Sequence, residues 1–338
     1  MTNLQIDSPW KAVLTGTPVF GKAQWEKSPL CLKWLVAARA SLLFLTLSSA
    51  VIAGLLALMA GSFDPVLWFA CVTGLMLAHA TNNMLNDYVD YTRGLDQGNY
   101  YRARYGTHVL NDGLLDQHAF RIYIGVTGGA ALVVALGILY VVDWQVMVPV
   151  VAGAFILLFY TYPLKTLGLG EFAVLLVWGP LMVGGTFQVV AGYWSWPVAM
   201  VGAVTALGPT SLIFAKHVDK LLMDEAKGVM TLPVRLGEQH ARRLIQMILI
   251  GIYVGILLCV VLDWLPVGAL VVAFALPTAF SFSRILENEK PAECPALYPV
   301  AAWPLWFAAH AFVHTRKFGV LLMLGLLSGV FYESVSGL

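Results

Sequence analysis

The chain has 338 residues, 59% of them hydrophobic and 12% charged, with a mean hydropathy of +0.77, far above what the core of a soluble domain requires. That composition excludes a soluble globular protein and points to one that crosses a membrane many times. A formal net charge of +1 excludes the concentrated basic face on which nucleic-acid binding depends.

Residues 1–33 lack the apolar core and small-residue cleavage site of a signal peptide. They read as a cytosolic or interfacial extension, with Trp10 and Trp25 suited to the interface. Residues 34–338 read as a single all-α transmembrane domain. A bilayer core of ~30 Å needs about 20 apolar residues in a helix. Stretches of that length lie near 34–60, 65–92, 118–141, 144–162, 170–193, 197–223, 241–262, 264–284 and 316–333. Nine spans are therefore expected. The apolar run from Tyr298 to His314 is broken by Pro304, which removes a helical hydrogen bond, so an interfacial or broken helix fits it better than a tenth span. Cys31, Cys71, Cys259 and Cys294 are widely separated without CxxC spacing, which argues against a disulfide frame or a zinc site.

Positive charge orients the bundle. Arg93, Arg102, Arg104, Lys165, Lys220, Lys227, Arg235, Arg242, Arg243, Arg284, Lys290, Arg316 and Lys317 fall in or beside the connections after even-numbered spans, whereas the opposite connections hold Asp64, Asp143 and Asp263. The positive-inside rule then places the N-terminus in the cytoplasm and the C-terminus outside.

The second span ends in "NNMLNDYVDYTRGLD", Asn82 to Asp96. Asn83, Asn86, Asp87 and Asp90 are spaced i, i+3, i+4, i+7 and so share one helical face. Asn and Asp at a helix end also serve as solvated caps, but four on one stripe at a membrane boundary point to a site, because acids there are costly. Oxygen donors of this kind suit Mg²⁺, which commonly binds through carboxylates and substrate phosphates, so a phosphorylated substrate is expected.

"FYTYPLKTLGLGEF", Phe159 to Phe172, follows the fourth span and carries Tyr160, Tyr162 and Lys165. Either these are interfacial anchors, or Lys165 neutralises a leaving pyrophosphate while a tyrosine face steadies a cation. "KHVDKLLMDEAKGVMTLPVRLG", Lys216 to Gly237, closes the sixth span. Lys216, Lys220 and Asp224 form an i, i+4, i+8 stripe with His217 at its edge, and the choice is between a solvated charge run and the second half of the site. His79, His108, His118, His240, His310 and His314 are scattered and read as packing or interfacial residues.

Taken together, these segments resemble the UbiA superfamily of intramembrane prenyltransferases, and within it the branch that prenylates 1,4-dihydroxy-2-naphthoate for menaquinone. "NMLNDYVDYTRGLD" is similar to the NxxNDxxDxxxGxD signature of that branch. "YTYPLKTLGLGEF", the following "LLVWGPLMVGGTFQV", "DEAKGVMTLPVRLG" and "WLVAARA" with Arg39 are similar to further shared segments. The resemblance implies nine helices around a lateral cavity with a cytosolic cap, in a bacterial inner membrane. It implies Mg²⁺ held by Asn83, Asp87 and Asp90, with Asp224 opposite. Polyprenyl pyrophosphate would be bound there, helped by Asn86, Arg39, Arg93, Arg102, Lys165 and Lys220, and its carbocation formed beside Tyr160 or Tyr162 would alkylate a small aromatic acceptor amid membrane lipid. The sequence departs from many relatives at Lys216 and Lys220, which stand where those carry Asn and Asp. Lys220 then replaces a metal charge at the pyrophosphate, or Asp219 or His217 supplies a ligand. An intramembrane terpene cyclase of the same fold and a transporter of a phosphorylated lipid or metal ion are the alternative functions.

Overall fold

The computed structural model describes residues 8–96, 106–298 and 302–336, and among these every regular element is helical. Three short helices, α1 (Pro9–Thr15), α2 (Lys22–Lys27) and α3 (Leu30–Ala37), precede α4 (Ala40–Met59) and α5 (Pro65–Thr92). Then come α6 (Gln117–Val141), α7 (Trp144–Leu164), α8 (Gly170–Ala191) and α9 (Trp196–Asp219). Two short helices, α10 (Leu221–Ala226) and α11 (Leu232–Leu236), lead to α12 (Glu238–Val261), α13 (Val267–Glu287) and α14 (Phe307–Ser336). Among the described residues, eight helices are long and apolar enough to cross a membrane. The 28-residue α5 is also long enough, its hydropathy diluted by the polar residues of its last three turns.

Local chemistry sets the helix ends. Asp64 accepts from the Val66 and Leu67 amides at 2.8 and 2.9 Å, ahead of Pro65, and Asp143 accepts from the Gln145 amide at 2.9 Å. Two of the isolated acids on the side opposite the basic connections are thus N-caps. The first expected span is split, because Arg39 adopts a left-handed conformation (φ 53°, ψ 58°) that interrupts the helix between α3 and α4. The last is longer than expected. Pro304 lies ahead of α14, and the apolar residues from Phe307 continue without a break into the final span, placing His310 and His314 inside one helix.

The largest core cluster joins α4, α8, α9, α12, α13 and α14 through residues such as Ile52, Phe187, Val201, Ile256, Val272 and Leu322. Small residues permit the close crossings. A Cβ on Gly325 would lie 2.3 Å from the Gly268 carbonyl oxygen, and one on Gly202 would lie 2.9 Å from that of Gly179. α8 bends at that contact, where Gly179 leaves the helical region before Pro180. α6 and α7 are peripheral, each burying 11% of its spanning window. Between them and the core lies a cavity of ≈ 1510 Å³, larger than the ~300–1,000 Å³ of most small-molecule sites. Of the α6 glycines on its wall, Gly128 packs against Thr81, while Gly125 and Gly129 face open space.

Residues 8–33 fold back on this bundle. Val13, Phe20 and Trp25 are buried in one cluster with Ala80, Met84, Val109 and Phe120, and Gly16, Thr17 and Pro18 line the cavity. Thr107 fastens the segment by accepting from the Phe20 amide at 2.8 Å and donating to the Pro18 carbonyl at 2.9 Å.

Candidate active site

The end of α5 organises the site. Asn82 donates to the Leu157 carbonyl and Asn86 to Thr161 Oγ1, each at 3.1 Å, tying the end of α7 to α5. Asn83 donates at 2.8 Å to the carbonyl of Ala38, a group left open where Arg39 breaks the helix. That break aims the Arg39 guanidinium at Asp87, with which it forms a buried ion pair. One turn on, Asp90 takes the Lys165 ammonium on both oxygens at 2.8 and 2.7 Å. Beyond the helix, Asp96 meets His108 Nε2 at 2.7 Å. Donor atoms of Asp87, Asp96 and His108 all lie within 4.8 Å of one another, and all three residues are buried.

The second acidic end comes from α10. α9 stops at Lys220, whose ammonium lies 3.2 Å from Asp224 Oδ1. Asp224 Oδ2 is buried and has no hydrogen-bond partner. Lys227 bridges the two ends by donating to the Gly94 and Leu95 carbonyls. Between them is a chamber of ≈ 10 Å³ whose wall includes Asp90, Asp96, Lys165, Lys220, Asp224 and Lys227, roughly the space of one water molecule. Asp90, Asp96, Lys165 and Lys220 also line the large cavity, so the ionic chamber opens onto the apolar one. Three carboxylates, Asp90, Asp96 and Asp224, around a single-ion volume, one with an orphaned buried oxygen and a fourth, Asp87, within 4.8 Å of Asp96, fit a hard divalent cation. His108 is positioned to orient Asp96, as partners of metal-binding carboxylates do.

The remaining expected residues divide. Tyr160 and Lys216 line the cavity. Tyr162 is 53% exposed and lies off the cavity wall, with the Arg93 guanidinium 3.9 Å above its ring. Arg102 lies outside the described residues. His217 also lines the cavity, and its Nδ1 is engaged by Glu171 at 2.6 Å. Asp219 is committed elsewhere: its oxygens accept from the Phe307 and Ala308 amides at 3.1 and 2.9 Å, capping α14, with Lys290 at 3.7 Å. Burial pulls the Lys290 ammonium below its ordinary value, and Asp219 works against that pull. Four further residues emerge only from the structure. Asp96, Glu171 and Lys227 stand in the quoted motifs, but the pairing of His108 and of Glu171 with partners 12 and 46 residues away is announced by no local pattern.

Comparison with known proteins bears on the family and the fold. The model of the UbiA prenyltransferase family matches residues 47–308. UbiA prenyltransferase domain-containing protein 1 of Danio rerio is 24% identical over 244 residues, covering 71% of this chain and 69% of that protein. The 1,4-dihydroxy-2-naphthoate octaprenyltransferase of Escherichia coli (strain K12) is 26% identical over 229 residues, covering 64% and 73%. The fold is similar to the solved structure of a UbiA homolog from Archaeoglobus fulgidus bound to GPP and Mg²⁺, with a TM-score of 0.52 and 14% identity over 82% of this chain and 98% of that one.

Proposed function

The chain belongs to the UbiA prenyltransferase family, and on that premise we propose that it transfers an isoprenyl chain from an allylic polyprenyl pyrophosphate to an aromatic acceptor of the 1,4-dihydroxy-2-naphthoate type, as a step toward a menaquinone-like quinone. The observation that carries this reading is the junction of a carboxylate-and-lysine chamber with a large apolar cavity through shared walls. A substrate with a charged head and a long greasy tail matches both compartments at once. The naphthoate acceptor follows the naphthoate-prenylating relative, and Mg²⁺ follows the donor set together with the ion named for the A. fulgidus homolog.

In this mechanism Asn83, Asp87, Asp90, Asp96 and Asp224 are the residues that would hold Mg²⁺, which when bound would supply Lewis-acid neutralisation of the pyrophosphate. Arg39, Lys165, Lys220 and Lys227 stand next to those carboxylates, and their charge falls on the same head group. Their role is to stabilise negative charge as the C1–O bond of the donor breaks, in a site where low dielectric strengthens the interaction. Tyr160 on the cavity wall offers a π face to the allylic cation. α6 and α7, lined with glycine, alanine and leucine, enclose the isoprenoid tail and keep water from the cation. Asn82 and Asn86 act indirectly, by holding the α7 end that carries Tyr160.

The protein is an integral membrane protein. We place it in a bacterial inner membrane, with the active site and N-terminus cytoplasmic and the C-terminus outside, on the charge asymmetry of its connections. Residues 34–338 form one catalytic domain in this reading, and the described part of the preceding segment, from residue 8, supplies part of its cytosolic wall. Arg93 and Tyr162, stacked at the surface, hold the cytosolic cap rather than the substrate. Pyrophosphate release and the mass of the lipid product, measured on purified protein with donor, acceptor and Mg²⁺, test the assignment.

A further inference from the structure

One buried ionisable pair is left unused by the chemistry above. Glu171 is 1% exposed and His217 3% exposed, and Glu171 Oε1 lies 2.6 Å from His217 Nδ1. A carboxylate only accepts hydrogen bonds. With Nδ1 donating to that oxygen, the neutral tautomer of the ring keeps its lone pair on Nε2. His217 lines the large cavity, so its accessible area faces the substrate space. Burying such a pair is costly, and packing alone needs no carboxylate behind the ring. Glu171 Oε2 is buried without a partner, so the charge of the carboxylate is directed at the imidazole. His217 and Tyr160, the ring assigned to the cation, line the same cavity. A Cβ on Gly170, next to Glu171, would lie 3.7 Å from the Tyr160 ring.

Resting on the prenyltransferase reading, we propose that His217, oriented by Glu171, is the general base that activates the aromatic acceptor. As the C1–O bond of the donor breaks, its electron pair leaves with pyrophosphate. The acceptor's ring carbon, ortho or para to a hydroxyl, gives a π pair to C1 and forms the new C–C bond. The hydroxyl proton passes to His217 Nε2 as its O–H pair becomes the C=O π bond. The immediate products are the keto form of the prenylated acceptor, pyrophosphate and an imidazolium. Glu171 stabilises that imidazolium, the role a buried carboxylate plays behind a catalytic histidine. Glu171 is a positioning residue in this scheme, and His217 is the catalytic one.

The test compares wild type, His217→Gln and Glu171→Gln in detergent, with geranylgeranyl pyrophosphate, Mg²⁺ and 1,4-dihydroxy-2-naphthoate, then with ring-halogenated and nitro-substituted analogues whose hydroxyls are progressively more acidic. General-base catalysis contributes on the order of 10²–10⁴-fold. His217→Gln is expected to lose kcat within that range for the parent acceptor, with the donor KM unchanged. The wild-type-to-variant ratio should shrink toward one as the acceptor becomes ionised on its own, and Glu171→Gln should follow the same trend from a smaller loss. Geranylgeranyl pyrophosphate binding by each variant certifies that it is folded. A His217→Gln protein that binds donor and retains full turnover, or whose loss is the same for every acceptor, overturns the base while leaving the transferase standing. A wild-type protein that transfers to no acceptor in the series overturns both.

Discussion

Both oxygens of Asp90 lie within 2.8 Å of a single group, the ammonium of Lys165, 75 residues further along the chain. The contact joins the acidic end of α5 to the loop between α7 and α8. It also puts the cation of that loop on the wall shared by the ionic chamber and the apolar cavity. Removing one member of a buried pair strands the other, at about 3–5 kcal/mol. Lys165→Met should therefore lower thermal stability and reduce kcat/KM for the donor by at least ~10²-fold, the size of effect seen when one transition-state contact is lost. Steady-state kinetics alongside a melting curve checks this, and an active variant with normal donor kinetics would remove Lys165 from the head-group site.

Asp224 lines the chamber from α10, and Asp87, on α5, stands within 4.8 Å of Asp96 on the same wall. If they hold the same cation, Asp87→Ala and Asp224→Ala should each cut turnover by ~10²-fold or more, with part of the loss recovered at raised Mg²⁺. Pyrophosphate release titrated against Mg²⁺ reads this directly. Full turnover with an unchanged Mg²⁺ curve in either variant would mean that its carboxylate is not a ligand.

Lys220 sits 3.2 Å from Asp224, at the position where the family resemblance leads one to expect an acid. Lys220→Asp places two carboxylates together and creates demand for a second positive charge. The expected result is a variant nearly silent at low Mg²⁺ that regains activity as Mg²⁺ rises, with a steeper concentration dependence than wild type. Loss at every Mg²⁺ concentration would assign the ammonium to the pyrophosphate itself.

Asp219 is five residues from Asp224 but serves a different purpose, capping α14 through the Phe307 and Ala308 amides. Loss of an N-cap costs roughly 0.5–2 kcal/mol, and the stranded Lys290 adds to that. Asp219→Ala should melt at a lower temperature yet keep kcat/KM within about threefold of wild type when assayed well below its midpoint. A normal melting curve with abolished turnover would return Asp219 to the active site.

Much of this architecture was legible in the chain because membrane spans declare themselves by length and apolarity, and because Asn83, Asn86, Asp87 and Asp90 form a helical stripe that periodicity alone exposes. The break at Arg39 was not legible, since a left-handed arginine leaves no mark in composition; its cause is tertiary, an ion pair with Asp87 and a carbonyl taken up by Asn83. The start of α14 was misread because Pro304 is an interruption only if a helix is already under way, and here it precedes one. His108, His217 and Glu171 show the same limit from another side. Each is defined by a partner brought from a distant segment, so a lone histidine in the sequence gives packing and pairing equal standing.

Pyrophosphate release by detergent-purified protein, given geranylgeranyl pyrophosphate and Mg²⁺ with and without 1,4-dihydroxy-2-naphthoate and followed by mass analysis of the lipid product, tests the central claim most directly. The proposed mechanism predicts release that depends on the acceptor and on Mg²⁺, with a prenylated naphthoquinol as the product. Release at the same rate without acceptor, yielding a hydrocarbon or an alcohol, would contradict it and assign the chain to cyclisation or hydrolysis of the donor.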